Sequence, residues 1–124
     1  MDAHDAALIA AGGIGCGVAV IHGLLTQRLM AAPFERLAGP QVPGSVRRLT
    51  PMLLQFSTFN WFLGGLALIV AAFALDVEAR IATAALVGSS YLYGALGNLW
   101  GTRGRHPGWA LYAIALILIA YGAG

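Results

Sequence analysis

Apolar residues along the chain fall into four long runs, and the stretches between them contain almost all of the charged residues. The runs cover about residues 6–28, 52–75, 81–101 and 109–123. A helix that crosses the hydrocarbon core of a bilayer needs roughly 20 apolar residues, with a range of about 17–25. The first three runs meet that length, whereas the fourth is short and requires tilt or a thinner bilayer. The pattern predicts an all-α integral membrane four-helix bundle, in one transmembrane domain of 124 residues.

The composition supports a membrane environment. Hydrophobic residues make up 59% of the chain and charged residues 10%, whereas a soluble domain carries about 25% charged residues. So few charges could not cover the surface of a water-soluble protein. The net charge of +2 is small, and the basic residues form short clusters beside apolar runs, which is typical of membrane topology and argues against nucleic acid as a partner. Membrane lipid is the expected surrounding.

The basic residues are distributed asymmetrically. All seven are arginines, and six belong to the first and third connections. The second connection carries only Arg80, together with Asp76 and Glu78. The positive-inside rule then predicts a cytoplasmic side that contains the six arginines, with both termini outside (N-out/C-out), in a bacterial inner membrane. The residues predicted to anchor the cytoplasmic interface are Trp100, Trp109, Arg28, Arg47, Arg48, Arg103 and Arg105.

The first connection, residues 29–51, is the only long one. It contains Pro33, Pro40 and Pro43, and apolar residues such as Phe34. We expect a loop in the cytoplasmic interface with its apolar side chains dipped into the bilayer. A lid or a docking segment for a partner is the alternative.

Several polar side chains lie inside the predicted spans. His22 precedes Arg28 by six residues, or about 9 Å along a helix, and Gln55 and Asn98 lie at a similar depth. With Thr58 they form a predicted intramembrane polar cluster, in which Gln55 or Asn98 bonds His22. An ionisable residue within a membrane is a functional hypothesis by default. A structural hydrogen bond, a proton-linked or solute-binding role, and metal or haem ligation all remain open for His22, although no second metal ligand is evident.

A second set of small and polar residues predicts helix packing or an oligomer interface. Asn60 lies near mid-membrane, about opposite Gln55 on the helical wheel, so one of the two faces lipid or another chain. An amide without partners in lipid costs several kcal/mol, which predicts a homo-oligomer or a larger complex unless the first or fourth span covers Asn60. The full predicted interface comprises Gly13, Gly17, Ser57, Asn60, Gly64, Ser90 and Gly94.

No arrangement of catalytic residues is recognisable. The chain contains no Ser-His-Asp or Cys-His set, and no carboxylate lies within a span. We therefore expect a protein that is not an enzyme and holds no cofactor or metal. The preferred function is a non-catalytic accessory, assembly or structural component that packs against other membrane chains. The alternative is a small ion or solute channel or transporter with a polar site around His22, Gln55 and Asn98.

Two stretches carry a resemblance. "RRLTPMLLQFSTFNWFLGG", residues 47–65, and "GNLWGTRGRHPGW", residues 97–109, are similar to segments of small four-span bacterial integral membrane proteins. The resemblance implies the membrane-spanning helical fold and brings no activity with it.

Overall fold

The computed structural model describes residues 1–124 and is all-α, with four helices and no strands. They are α1 (Ala3–Leu37), α2 (Gly44–Ala74), α3 (Val77–Thr102) and α4 (Gly108–Ala123). Each helix packs against the next one along the chain, and α4 packs back against α1. The predicted all-α architecture with four helices is confirmed.

The helix ends follow from local capping residues. The Asp2 carboxylate accepts a hydrogen bond from the Asp5 N–H, and the Asp5 carboxylate accepts one from the Asp2 N–H, which together form a capping box. The bond from the Asp5 N–H lowers the pKa of the Asp2 carboxyl below its ordinary value. Asp76 caps α3 in the same way through the Ala79 N–H. At its other end α3 stops because Arg103 and Gly104 adopt positive φ angles of 52° and 73°.

The first connection is shorter than the sequence predicts. α1 continues to Leu37 through a π-helical segment, Gln27–Ala31, and α2 begins at Gly44. Only residues 38–43 are non-helical, instead of 29–51. The break lies where Pro40 and Pro43 follow each other closely, because a proline disfavours helical backbone at the residue before it. Pro33 and Pro51 instead lie within helices, and the wider π-helical turn immediately before Pro33 relieves the clash of its ring with the preceding turn.

The closest helix–helix contact joins α1 and α2 through two glycines. A Cβ atom added to Gly12 would lie 2.5 Å from the Gly65 carbonyl oxygen, and one added to Gly65 would lie 2.6 Å from the Gly12 carbonyl oxygen. Only glycine allows the two backbones to approach so closely. Gly13 and Gly17, the predicted packing glycines, point away from the bundle, and an added Cβ atom would meet nothing within 4 Å at either position. The glycine of α1 that packs against α2 is therefore Gly12, the immediate neighbour of Gly13, which the sequence predicted for this role.

Buried residues form a thin core along the bundle axis. Tyr91, Tyr112, Leu8 and Leu68 are its largest fully buried side chains, and 23 of the 124 residues are buried in all. Many large apolar side chains lie on the outside of the helices, such as Phe73 and Leu86. α1 and α2 are long and apolar enough to cross a membrane, with mean hydropathies of 2.0 and 1.7 over their most apolar stretches.

The two ends of the bundle differ in charge. At the end that holds the N-terminus, Arg80 forms a salt bridge with Asp5 at 3.0 Å between Nη1 and Oδ1. His4 stacks on Tyr121, with ring centroids 4.7 Å apart, and its Nδ1–H donates to the Tyr121 carbonyl oxygen at 2.8 Å. These contacts bring the start of α1, the start of α3 and the end of α4 together, which we call the acidic end. The other six arginines lie in the C-terminal third of α1, the first two turns of α2 and the turn between α3 and α4, at the opposite end, which we call the basic end.

Candidate functional site

A cavity of about 320 Å³ opens between α1 and α4 in the half of the bundle next to the basic end. α1 contributes apolar side chains such as Ile21 and Leu25, and α4 contributes Leu111. The polar groups on its wall include His22, Asn98 and His106. No arginine, aspartate or glutamate lines it. The cavity is therefore an apolar pocket with a few polar groups, which is the usual character of small-molecule sites in proteins.

His22 projects from α1 toward α2. Its Nε2 lies 3.0 Å from the Ser57 hydroxyl and 3.3 Å from the hydroxyl of Thr26, which lies one turn further along α1. The Ser57 hydroxyl donates its only proton to the Leu54 carbonyl oxygen at 3.2 Å, so its oxygen accepts from a protonated Nε2. The partner of His22 is therefore Ser57, and neither Gln55 nor Asn98 bonds it.

Gln55 and Thr58 make a separate contact between α1 and α2. The Gln55 amide donates to the Gly23 carbonyl oxygen at 3.0 Å, and the Thr58 hydroxyl donates to Gln55 Oε1 at 2.9 Å. Neither residue lines the cavity. The predicted four-residue polar cluster is thus divided, because side chains at one depth on neighbouring helices can still face different seams of the bundle.

Aromatic side chains form the inner wall of the cavity. The Trp61 ring lies 4.6 Å from His22 and 5.1 Å, edge on, from Tyr112. It packs over Gly94, where an added Cβ atom would lie 2.7 Å from the indole. Tyr91 lies 4.8 Å from Tyr112 and donates its hydroxyl proton to the Trp61 carbonyl oxygen at 3.1 Å. These contacts hold the indole rigidly between α1, α3 and α4.

Two buried polar atoms near the cavity have no hydrogen-bond partner. They are the Asn98 side-chain oxygen and the Tyr112 hydroxyl, and both residues line the cavity. Tyr112 is 2% exposed. Buried polar groups in proteins are nearly always paired, so these two atoms, each with less than 1 Å² of accessible surface, are exceptions to that rule.

His106 completes the wall from the turn between α3 and α4. The positive φ angles of Arg103 and Gly104 reverse the chain there, and the Trp109 indole N–H donates to the Gly104 carbonyl oxygen at 3.2 Å. His106 Nδ1 accepts a bond from the Gly108 N–H at 3.1 Å. In the neutral ring the proton is therefore on Nε2, and His106 can donate one hydrogen bond.

Five of the seven residues predicted to form an oligomer interface have partners within the chain, whereas Gly13 and Gly17 face outward with nothing within 4 Å of an added Cβ atom. Asn60 donates one hydrogen bond to the Ser90 hydroxyl at 2.7 Å, so α3 gives the amide that motivated the oligomer a partner within the chain, although the residue itself is exposed. Neither the first nor the fourth helix, the alternatives considered from the sequence, covers it. Gly64 packs against Val87, with 3.1 Å between an added Cβ atom and Cγ1. Ser57 bonds His22 and Gly94 lies under the Trp61 ring, so each contacts a residue of the cavity wall without lining the cavity itself.

The predicted interfacial anchors belong to the basic end. Trp100 is 86% exposed, whereas Trp109 is half-buried against the α3–α4 turn. Arg28, Arg103 and Arg105 are exposed. Arg47 and Arg48, in the first turn of α2, border a surface pocket with Glu35.

Sequence reasoning missed Trp61, Tyr91, Tyr112 and the inward role of His106. A signal was available for the aromatic residues. Tryptophan and tyrosine prefer the membrane interface, where their polar atoms find partners, yet Trp61 and Tyr91 lie well inside the apolar runs, and Tyr112 lies about one helical turn into the fourth run. Their polar atoms then require partners inside the bundle, which marks the positions as a site.

The geometry defines an all-α, four-helix protein with an uncharged, partly aromatic cavity near its basic end. No group of three His, Cys, Asp or Glu side chains is placed to hold a metal ion. No protein-family model, curated protein or solved structure matches the chain.

Proposed function

We propose that the chain is an integral membrane protein whose four helices all cross the bilayer. The support is the apolar exterior. Only 22% of the most apolar stretch of α2 and 39% of that of α1 are buried within the protein, which favours helices that face lipid over the mostly buried core helices of a soluble domain. Large apolar surfaces are rare on soluble monomers. The 26 residues of α3 extend about 39 Å, and the 16 residues of α4 require a locally thinner bilayer to cross it.

The proposed orientation places the basic end in the cytoplasm and both termini outside, in a bacterial inner membrane. Six arginines at the basic end support it through the positive-inside rule. The remaining Arg80 is paired with Asp5, which reduces its weight as a topology signal.

Cysteine labelling tests this orientation. In a Cys16→Ala background, Val77→Cys at the acidic end should react with an impermeant thiol reagent added to intact cells. Arg105→Cys at the basic end should react only after permeabilisation. Each variant is the control for the other, and the reverse pattern would exclude the proposed topology.

We propose that the protein binds a small molecule within the membrane, at the cavity between α1 and α4. The observation that carries this proposal is the apolar cavity of about 320 Å³ itself, whose lining includes Trp61 and the polar residues His22, Asn98 and His106. The tightly packed Tyr91 and Leu68 lie further along the axis, which favours a binding protein or carrier over an open channel. This develops the alternative function predicted from the sequence.

The non-catalytic accessory role, preferred from the sequence, loses its main argument. That argument was an unpaired Asn60 in lipid, and Asn60 is bonded to Ser90 within the chain. A membrane packing partner therefore has no specific observation in its favour.

Photolabelling in lipid nanodiscs tests the binding site. A small aryl diazirine should label Ile21, Leu25 and Leu111 saturably, because a cavity holds a limited number of molecules. Labelling of a lipid-facing residue such as Phe59 should rise in proportion to concentration. Leu111→Trp, which narrows the cavity, should remove the saturable fraction and leave the labelling of Phe59 unchanged. Labelling of the cavity residues that never saturates would refute a binding site.

A further inference from the structure

The cavity between α1 and α4 changes from an apolar inner end to a polar outer end. Its wall follows α1 from Val18 to Met30, about 18 Å at 1.5 Å per residue. Val18 and Trp61 belong to the inner end, whereas Thr102 and His106 belong to the outer end, next to the basic end of the bundle. A molecule that matches this wall has an apolar body and one polar group, which it holds toward the basic end.

The unpartnered groups at the outer end are hydrogen-bond donors. His106 Nδ1 accepts the Gly108 N–H, so the neutral ring carries its proton on Nε2, and a second proton adds a positive charge. The Asn98 amide nitrogen lies beside the same turn, since a Cβ atom added to Gly108 would lie 3.3 Å from it. Neither nitrogen has a partner in the chain or is among the buried unpartnered atoms, unlike the Asn98 oxygen, so both are accessible. The ligand group that meets them must accept hydrogen bonds.

His22 has a different role in the cavity wall. Its Nε2–H is donated to the Ser57 hydroxyl, which leaves Nδ1 of the neutral ring as an acceptor. An acceptor does not attract a negatively charged group. The position for an accepting group is therefore the outer end, at His106 and Asn98, instead of the middle of the cavity.

The charges around the outer end favour a negatively charged acceptor. Arg28, Arg103 and Arg105 are exposed, and each is adjacent in the sequence to a residue of the cavity wall. No carboxylate pairs with them, because the one salt bridge of the chain is at the acidic end, and no Asp or Glu lines the cavity. α4 also begins here without a side-chain cap, and the N-terminal end of a helix carries a partial positive charge.

We infer that the ligand of this cavity is a small amphipathic organic acid, whose carboxylate accepts hydrogen bonds from His106 and Asn98 and whose apolar body extends inward between α1 and α4. The inference rests on the proposed function and narrows it to a ligand class. The carboxylate stays at the outer end, so its charge avoids the apolar interior, where an unpaired ion is strongly disfavoured. The volume of about 320 Å³ corresponds to about ten water-sized groups at ~30 Å³ each, which a chain of about eight carbons fills. Ile21 and Leu111 line the cavity and are exposed, so the acid enters sideways from the bilayer.

Three probes of one chain length test the inference. They are octanoate, octanamide and octylamine, each with a terminal trifluoromethyl group, titrated into the protein in nanodiscs of zwitterionic lipid and followed by fluorine NMR. Empty nanodiscs of the same composition give the contribution from lipid. At a pH well above the ordinary pKa of a carboxyl group, octanoate should bind saturably and about tenfold more tightly than octanamide, because hydrogen bonds to a charged acceptor are the stronger ones. Octylamine should not bind saturably.

Variants assign the preference to the proposed groups. His106→Asn keeps an acceptor for the Gly108 N–H and removes the Nε2–H donor, so the octanoate-to-octanamide ratio should fall about threefold. Arg105→Gln should weaken octanoate about threefold and leave octanamide unchanged, and the exposed position of Arg105 keeps this comparison available if His106→Asn fails to fold. Arg47→Gln is the matched control, because Arg47 borders a different pocket of the basic end. It should leave both affinities unchanged.

The outcomes separate this inference from the proposed function. Equal saturable binding of octanoate and octanamide would overturn the acidic class with the binding site intact, and tightest binding of octylamine would overturn it as well. Saturable diazirine labelling without saturable binding of any probe would refute the inference alone, whereas loss of both would remove the site itself. Unchanged octanoate binding in nanodiscs that contain an anionic two-chain phospholipid supports a free acid. Its loss there would assign the outer end to a lipid headgroup and overturn the inference.

Discussion

Replacing Gly12 with alanine should weaken the contact between α1 and α2. The added Cβ atom would lie 2.5 Å from the Gly65 carbonyl oxygen and 2.7 Å from Ile69 Cγ1, well inside normal van der Waals separation. The Ile69 side chain can rotate away, whereas the carbonyl belongs to the backbone of α2 and cannot. The two helices must therefore separate by several tenths of an ångström, and overpacking of this kind costs about 1–3 kcal/mol.

Gly13→Ala is the matched control. Gly13 lies in the same helical turn, and an added Cβ atom there meets nothing within 4 Å. Alanine is a better helix former than glycine by about 1 kcal/mol, and that gain is common to both variants, so it cancels in their difference. We expect Gly13→Ala to be neutral or stabilising and Gly12→Ala to be less stable than Gly13→Ala by about 1–3 kcal/mol.

The difference can be measured as a free energy of unfolding in mixed micelles, by titration with a denaturing detergent while helix content or Trp61 fluorescence is followed. The two variants should have similar slopes and different midpoints. Equal destabilisation by both substitutions would refute the reasoning, because it would mean that the exposed face of Gly13 contacts another chain. An equal, small stabilisation by both would mean that α1 and α2 are further apart than the structure shows.

Three further predictions concern the acidic end and the seam between α2 and α3. Arg80→Gln should lower the free energy of unfolding by about 1–2 kcal/mol, because it removes the counter-ion of the Asp5 carboxylate, which is 18% exposed, whereas Arg105→Gln should have no measurable effect in the same titration. A double-mutant cycle of Asn60→Leu and Ser90→Ala should give a coupling of about 0.6 kcal/mol with no change of mass in nanodiscs; a fall in mass for Asn60→Leu would restore the oligomer hypothesis. The depressed pKa of Asp2 means that its capping contribution is complete above the pKa of the unfolded chain and is lost as the pH falls through the lower, folded-state pKa, so Asp2→Asn should flatten that acid part of the stability profile.

Much of the fold follows from the sequence alone. The length and spacing of the apolar runs predict four helices, because each run is long enough for a helix and the polar connections are too short for other elements. The grouping of six arginines at one end also follows, since three short or moderate connections force the helices to alternate in direction. The sequence predicts an intramembrane polar cluster that contains His22 and Asn98, and both residues lie on the wall of the cavity.

Only the tertiary structure decided how each helix is rotated about its axis and which side chains pair between neighbouring helices. Residues 12 and 13 are one position apart, and a rotation of about 100° per residue decides which of them meets Gly65. The same rotation pairs His22 with Ser57 in place of Gln55, and Asn60 with Ser90 in place of another chain. Hydropathy does not determine the rotation of a helix about its axis here, because apolar residues occur on all sides of these helices. The cavity exists because α1, α3 and α4 leave a gap beside the Trp61 ring. Such a gap depends on how the helices pack together, so no single segment of the sequence predicts it.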